Sequence, residues 1–325
     1  MSFAFGGNTI LVTGAAGFIG RHLVRRLLAE GAKVVAVDNF STGSRSGLAE
    51  MASGACRIVE ADVIDVASYD VDGIFNLACP ASPPHYQADP IRTLRTSVWG
   101  MYNMLELARG RGIRVLQAST SEVYGDPSVH PQNETYLGNV NPVGPRACYD
   151  EGKRTAETLC ADYARQHKID VRVARIFNTY GEGMAASDGR VVSNFVVQAL
   201  SGAPLTMFGE GSQTRSLCHV SDLVDGLVEL YCAEPFGFAP INLGNPAEIS
   251  VRALAERVIA LTSSRSTIIR RPLPEDDPRI RKPDITLARE RLGWSPKVEL
   301  DDGLRRTIAW FSTQMAATTR DQVTL

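Results

Sequence analysis

The 325-residue sequence is poor in several features that would direct its interpretation elsewhere. No apolar run approaches the roughly 20 residues that a membrane-spanning helix requires. Its six cysteines are scattered without a C-x-x-C pair, and its five histidines show no metal-ligand spacing. The formal net charge of −2 gives no indication of nucleic acid or of an anionic membrane as a partner. We therefore expect reduced thiols, no metal site and a cytoplasmic protein without a signal peptide.

What the sequence does contain is ample material for a core, since 44% of its residues are hydrophobic. Short apolar runs alternate with stretches in which apolar residues recur at helical spacing. The runs predicted as strands are 9–13, 33–37, 57–61, 74–77, 115–118, 170–176 and 241–243. This alternation predicts an α/β fold with a doubly wound parallel sheet of the Rossmann type, which binds ligands at the carboxyl ends of its strands.

A glycine-rich turn joins the first strand to the first helix. In this arrangement the free amides at the helix N-terminus bind the pyrophosphate of a dinucleotide. The residues of the turn that we expect at the cofactor are Gly14, Gly17, Phe18, Ile19 and Gly20. Asp38 ends the second strand, where a carboxylate accepts hydrogen bonds from the adenosine ribose and repels the 2′-phosphate of NADP. Because Asn39 rather than an arginine follows it, we expect NAD.

Tyr149 and Lys153 are four residues apart and therefore share one face of a predicted helix. A nearby ammonium group stabilises a phenolate, so Lys153 is expected to lower the pKa of Tyr149. Tyr149 is then expected to take a proton from a sugar or alcohol hydroxyl. Thr120, at the end of the fifth strand, would hydrogen-bond the same hydroxyl. Ser121 and Glu122 follow Thr120 directly and are expected on the substrate side.

Longer segments resemble one particular family. The glycines are spaced G-x-x-G-x-x-G, as in extended short-chain dehydrogenases/reductases. The segments at 80–84, 119–127, 141–154 and 188–195 resemble the UDP-glucuronate decarboxylases, also called UDP-xylose synthases, and the resemblance extends from about residue 9 to about residue 304. It implies a tightly bound NAD and oxidation of UDP-glucuronate at C4. Loss of carbon dioxide from the β-keto acid and re-reduction to UDP-xylose follow.

The same resemblance implies further roles for single residues. It places Asp62 and Val63 at the adenine, Arg215 at the diphosphate, and Arg281 near the substrate carboxylate or the site of proton transfer to C5. The substrate-binding residues that it implies are Pro83, Tyr86, Asn178, Arg190, Phe208, Arg215 and Arg281. We expect residues 1–180, with a return segment near 216–245, to bind NAD. Residues 181–325 are expected to form mainly a smaller α/β domain for the nucleotide sugar.

Several interpretations stay open at this level. Glu122 beside a substrate carboxylate either destabilises the charged ground state or carries a proton, if its pKa is raised. Phe208 fits the uracil or the core equally well. The family commonly forms a homodimer through helices near 90–109 and 149–167. Met101, Met104 and Leu105 on the first helix, and Leu159 and Tyr163 on the second, fit that interface or the core.

Some positions depart from the family pattern, namely Ser97, Glu182-Gly183 and Leu217-Cys218-His219. Two further functions therefore remain alternatives. One is another reaction on a nucleotide sugar: 4-epimerisation, 4,6-dehydration, or decarboxylation that stops at the 4-keto product. The other is a non-catalytic NAD-binding regulator.

Overall fold

The computed structural model describes residues 3–65, 67–273 and 280–323, with side chains to residue 316. The strands are β1 (Thr9–Thr13), β2 (Lys33–Asp38), β3 (Cys56–Glu60), β4 (Gly73–Asn76), β5 (Arg114–Thr120), β6 (Val171–Ile176), β7 (Thr179–Tyr180), β8 (Leu205–Phe208), β9 (Thr214–Ser216), β10 (Cys218–His219), β11 (Pro240–Leu243), β12 (Glu248–Ser250) and β13 (Ile268–Arg271). The helices are α1 (Phe18–Ala29), α2 (Arg45–Ala49), α3 (Pro83–Ala88), α4 (Pro90–Arg111), α5 (Ala147–His167), α6 (Val191–Leu200), α7 (Val220–Cys232), α8 (Val251–Thr262), α9 (Thr286–Leu292) and α10 (Leu300–Val323).

Seven parallel strands form the central sheet, in the order β11-β6-β5-β4-β1-β2-β3. Helices cover both faces of a parallel sheet, so its strands are apolar along their whole length rather than at alternate positions. Ile10, Leu11 and Val12 of β1 are accordingly all fully buried. The winding direction reverses between β1 and β4, which is the point where such sheets bind ligands. The predicted doubly wound parallel sheet is therefore confirmed.

A second group of elements lies beyond the central sheet. Strands β8 and β13 pair in parallel, and β9 and β12 pair antiparallel. Helices α6, α8 and α10 pack together around an apolar cluster that includes Phe195, Leu254 and Phe311. The chain returns to the central sheet through β11, which pairs with β6. The assignment of residues 1–180 and 181–325 to separate binding roles stays a prediction.

Two local features concern the surroundings of the cleft. The proline-containing segment after β4 forms α3, with Pro83 and Pro84 at the first helical positions. There proline costs no hydrogen bond, because the first amides of a helix have no partner within it. Met101, Met104 and Leu105 of α4 are buried against the central sheet, so they belong to the core and not to an exposed interface.

Among residues 3–65, 67–273 and 280–323, no helix is both long enough and apolar enough to cross a membrane.

Gly20 allows the closest backbone approach within the glycine-rich turn. A Cβ atom at Gly20 would lie 2.1 Å from the carbonyl oxygen of Gly14, which is backbone and cannot move aside cheaply. We predict that Gly20→Ala lowers the free energy of unfolding by about 1–3 kcal/mol, the usual cost of overpacking, and weakens NAD binding. Denaturant unfolding and NAD titration measure both effects. Gly54→Ala is the matched control, because a Cβ there meets nothing within 4 Å. Equal stability of the two variants would contradict the prediction.

Candidate active site

A single cleft of about 1260 Å³ runs along the carboxyl ends of the central strands. The predicted site residues that line it are Gly14, Gly17, Phe18, Ile19, Gly20, Asp38, Asn39, Val63, Pro83, Thr120, Ser121, Glu122, Tyr149, Lys153, Asn178, Arg190, Phe208, Arg215 and Arg281. Two predicted residues do not line it. Tyr86 is buried behind the wall of the cleft, and Asp62 lines a small neighbouring depression.

The glycine-rich turn has the shape that a dinucleotide needs. Gly14 adopts a φ of 66°, in the left-handed region that favours glycine, and a Cβ there would lie 2.9 Å from the backbone nitrogen of Ala78. Gly17 precedes α1, and no side chain in the described part of the chain caps that helix N-terminus. The amides at this end therefore face the cleft with the positive end of the helix dipole, which fits a pyrophosphate.

Asp38 is the acidic residue at the end of β2. Its carboxylate accepts hydrogen bonds from the backbone N–H of Ala16 at 2.9 Å and of Phe40 at 2.7 Å. Burial raises its pKa, and the two backbone bonds act in the opposite direction. Asp62 is held by the side chains of Asn39 at 3.0 Å and Arg92 at 2.7 Å. The carboxylate of Asp62 is thus tied to protein groups, whereas Val63 reaches the cleft itself.

The tyrosine and lysine are brought together as the helical spacing predicts. The Nζ atom of Lys153 lies 5.9 Å from the centroid of the Tyr149 ring and donates a hydrogen bond to the carbonyl of Ala118 at 2.8 Å. The expectation that Lys153 lowers the pKa of Tyr149, however, is not met. Burial, followed by the nearby Cys79, raises the pKa of Tyr149 above its usual value, although a hydrogen bond with Thr120 lowers it. Burial also lowers the pKa of Lys153.

Tyr86 supports Tyr149 from behind. The two rings are parallel within 4°, with centroids 5.1 Å apart. The hydroxyl of Tyr86 is buried and has no hydrogen-bond partner among the described residues. Tyr86 therefore packs against the Tyr149 ring from α3, and its assignment to the substrate stays a prediction.

Glu122 is clamped between two arginines from distant parts of the chain. Its carboxylate oxygens lie 2.5 Å from an Nη atom of Arg146 and 2.5 Å from an Nη atom of Arg281. Burial alone would raise the pKa of Glu122, but Arg281 and Arg146 outweigh it and lower the pKa to about 2. The condition for Glu122 as a proton carrier, a raised pKa, is therefore not met. Glu122 is ionised and holds the two guanidinium groups in place.

Sequence reasoning missed Arg146 and Asp150. Arg146 directly precedes α5 and lines the cleft, and Asp150 follows Tyr149 on the buried face of the helix. One available signal was the spacing, because Arg146, Tyr149 and Asp150 stand at i, i+3 and i+4 and must share a helix face. No pattern in the sequence could show that Glu122 and Arg281 meet this face.

Further polar and aromatic residues line the cleft. Arg190 pairs with Asp188 at 2.5 Å and lies over the ring of Phe18. Arg215 donates to the carbonyl of Thr214 at 2.9 Å and lines the same cleft. The side chain of Phe208 is 39% exposed there, so Phe208 is not a core aromatic. These guanidinium groups and this ring are the types of group that bind phosphates and a base.

The positions that depart from the family pattern contact protein groups. The carboxylate of Glu182 lies 3.0 Å from Nε2 of His219 and accepts a hydrogen bond from Arg306 at 2.8 Å. Two of the departures thus meet each other, and they tie the chain after β7 to α7 and α10. The third departure, Ser97, lies 3.3 Å from the sulfur of Cys79, which is itself at the cleft.

Residues 10–240 match the model of the NAD dependent epimerase/dehydratase family. The chain belongs to this family. The UDP-glucuronic acid decarboxylase 1 of Danio rerio is 52% identical over 94% of this chain and 73% of its own length. The expected family resemblance is thereby confirmed, and so is NAD as the cofactor of the family.

Solved structures agree with this placement. A UDP-glucose 4-epimerase from Thermotoga maritima, solved with UDP-glucose, has a TM-score of 0.86 and 28% identity, over 94% of this chain and 99% of that one. MoeE5, solved in complex with UDP-glucuronic acid and NAD, has a TM-score of 0.81 and 29% identity over the same shares of the two chains. The fold thus carries a nucleotide sugar in both of those proteins, and in MoeE5 it carries NAD as well.

The ionised state of Glu122 makes a testable contribution to stability. Because its folded-state pKa is about 2, below the ordinary 4.5, this contribution is present above pH 4.5 and is lost as the pH falls towards 2. We predict that Glu122→Gln costs about 3 kcal/mol of unfolding free energy at neutral pH. The difference in unfolding free energy between this variant and the unchanged protein should become smaller as the pH falls. Denaturant unfolding at several pH values measures it.

Glu210→Gln serves as the control for this experiment, since Glu210 pairs with Arg270 where both side chains are more than half exposed. Such surface pairs contribute about 0–1 kcal/mol, and this variant should change little. A Glu122→Gln loss as small as that of Glu210→Gln, or one that does not shrink in acid, would contradict an ionised and clamped Glu122.

Proposed function

We propose that this chain is an NAD-dependent UDP-glucuronate decarboxylase that converts UDP-glucuronate to UDP-xylose. The observation that carries the proposal is the cluster of Glu122, Arg146 and Arg281 directly beside Tyr149 in the cleft. It presents guanidinium groups where the substrate of an oxidising site would carry its carboxylate. A relative of that name, 52% identical over 94% of the chain, supports the same reaction.

Tyr149 and Thr120 act at the hydroxyl of C4. When bound, NAD supplies a hydride acceptor that can later return the hydride. Tyr149 takes the hydroxyl proton and gives it back on re-reduction, while Thr120 hydrogen-bonds the same oxygen. Lys153, held by the carbonyl of Ala118, favours the ionised form of Tyr149 through its charge when it is protonated. The stacking of Tyr86 keeps the phenol in one orientation.

Decarboxylation follows from the ketone at C4. The carboxylate at C5 is then β to a carbonyl, which accepts the electron pair of the breaking carbon–carbon bond as an enolate. Carbon dioxide leaves, C5 takes one proton, and the net reaction consumes that proton. Arg281 and Arg146 hold the carboxylate before it leaves, and Glu122 keeps both guanidinium groups aimed at it.

The remaining parts of the proposal concern the nucleotide and the location. We assign Arg190, Arg215 and Asn178 to the diphosphate and sugar, and Phe208 to the uracil. Residues 1–180 with the return through β11 would hold NAD, and the later elements would hold the UDP-sugar.

The cysteines of the described residues are all free thiols, which fits a reducing, cytoplasmic location.

The test is incubation of the purified protein with UDP-glucuronate and NAD, followed by carbon dioxide release and by mass and proton NMR of the product. Carbon dioxide with UDP-xylose is expected. A 4-keto pentose with accumulating reduced NAD would mean that re-reduction fails. No carbon dioxide from folded, NAD-loaded protein would overturn the proposal and favour a reaction on an uncharged UDP-hexose.

The role of Tyr149 predicts a selective loss of rate. Tyr149→Phe keeps the ring stacked on Tyr86 but removes the proton acceptor, so kcat should fall by about 10²–10⁴ while UDP-glucuronate still binds. Steady-state kinetics and ligand titration separate the two effects. Tyr136→Phe, outside the cleft, should retain full activity. A Tyr149→Phe enzyme with near-normal kcat would remove Tyr149 from its assigned role.

We also propose a homodimer through α4. Its outward face carries large apolar side chains, including Trp99, 51% exposed, and Tyr102, 45% exposed. The other exposed apolar residues of this face are Ile91 and Leu94. Four such residues on one face of a single helix indicate a surface that a second copy covers.

This dimer surface is tested by sedimentation velocity. We predict that Trp99→Glu shifts the protein from dimer to monomer, because it puts a charge where apolar area is buried. Leu137→Glu is the control, since Leu137 is exposed in a different part of the chain and should leave the dimer intact. A monomeric unchanged protein, or a dimeric Trp99→Glu variant, would contradict the proposed surface.

A further inference from the structure

A fourth charged side chain completes the cluster beside Tyr149. Asp150 lies in the first turn of α5, is only 6% exposed, and does not reach the cleft surface. Its Oδ1 atom has no hydrogen-bond partner among the described residues. Nη2 of Arg281 is likewise buried without a partner in the described part of the chain. Two polar atoms in one buried cluster are thus left without the partners that buried groups normally have.

The summed charge of Glu122, Arg146, Arg281 and Asp150 changes with the protonation state of Asp150. Arg146 and Arg281 are positive, and Glu122 between them is negative. With Asp150 protonated, the four side chains leave a single positive charge at the wall of the cleft. With Asp150 ionised, that charge is cancelled. A substrate carboxylate is therefore complemented in one protonation state of Asp150 and not in the other.

The groups that face Asp150 come from several elements. They are Glu122 after β5, Arg146 before α5, Arg281 before α9, Tyr86 on α3, and Cys148, Tyr149 and Glu151 on its own helix. Burial is the largest influence and raises the pKa of Asp150, and Glu122 raises it further. Arg146 and Arg281 act against them, and the result is a pKa of about 8.

We propose that Asp150 is a positioning residue that holds a proton while the substrate carboxylate is bound, and so sets the charge that Arg146 and Arg281 present to that carboxylate. This inference rests on the proposed function, because it needs a substrate with a carboxylate. It assigns to Asp150 a role in recognition that operates through the two arginines, without contact with the ligand.

The proposal predicts the direction in which pH changes the binding of UDP-glucuronate. A bound carboxylate adds negative charge near Asp150 and raises the pKa of that group beyond its ligand-free value of about 8. At a pH slightly above 8, binding of UDP-glucuronate then takes up a proton, up to one per site. As the pH rises further, the dissociation constant for UDP-glucuronate increases by up to about tenfold per unit. UDP-xylose has the same nucleotide but no carboxylate, so its binding should take up no proton.

The test is calorimetric titration of the NAD-loaded Tyr149→Phe protein, which is expected to bind substrate and to turn it over about 10²–10⁴-fold more slowly. Titrations in buffers of different ionisation enthalpy, at a pH just above 8, count the protons taken up. We expect uptake with UDP-glucuronate, none with UDP-xylose, and none with UDP-glucuronate once Asp150→Asn is added. Glu151→Gln removes a charge at the next position of the same helix, where Glu151 is partly exposed, and should leave the uptake intact.

The outcomes separate this inference from the proposed function. UDP-glucuronate binding without proton uptake, or uptake that persists in the Asp150→Asn protein, would overturn the role of Asp150 and leave the decarboxylase proposal standing. Failure of UDP-glucuronate to bind at any pH, with UDP-xylose still binding, would overturn both. If Asp150→Asn proves unstable, equal proton uptake with UDP-glucuronate and UDP-xylose, or uptake with neither, in the unaltered Asp150 background would still overturn the role of Asp150.

Discussion

The ion pairs of Glu122 with Arg146 and Arg281 hold the two halves of the cleft together. Glu122 follows a strand of the central sheet, Arg146 precedes the helix of Tyr149, and Arg281 comes from the segment before α9. Removing one partner of a buried ion pair costs several kcal/mol, so loss of any of the three side chains should destabilise this contact. The geometry of the tyrosine, the end of β5 and the substrate side of the cleft is thereby fixed by one electrostatic contact.

The same contact explains how a negatively charged side chain can stand beside a negatively charged substrate. Glu122 is not an isolated carboxylate in the cleft, because it pairs with two guanidinium groups. The two positive charges exceed the single negative charge of Glu122. Asp150, placed behind them, decides how much of that charge the cleft presents. Recognition of a carboxylate and catalysis at the neighbouring hydroxyl thus depend on adjacent positions of one helix, with Tyr149 facing the cleft and Asp150 behind its wall.

Sequence patterns were sufficient for what depends on local periodicity. The glycine turn, the strand that ends at Asp38 and the four-residue spacing of Tyr149 and Lys153 follow directly from repeating backbone geometry. The raised pKa of Tyr149 did not follow, because it depends on burial in the folded protein. The ionised state of Glu122 did not follow either, because it depends on Arg281, which is far away in the sequence. Met101 and Met104 show the same limit, since helical spacing alone does not tell the core face from an exposed one.

In the proposed reaction, one cleft oxidises C4, releases the carboxylate as carbon dioxide and returns the same hydride. The sharpest test uses UDP-glucuronate with deuterium at C4, converted by the NAD-loaded protein, and mass spectrometry of the product. We expect one carbon dioxide for each UDP-xylose and full retention of the deuterium at C4. Carbon dioxide with loss of the deuterium, or deuterium retained in a product that still has its carboxylate, would contradict it.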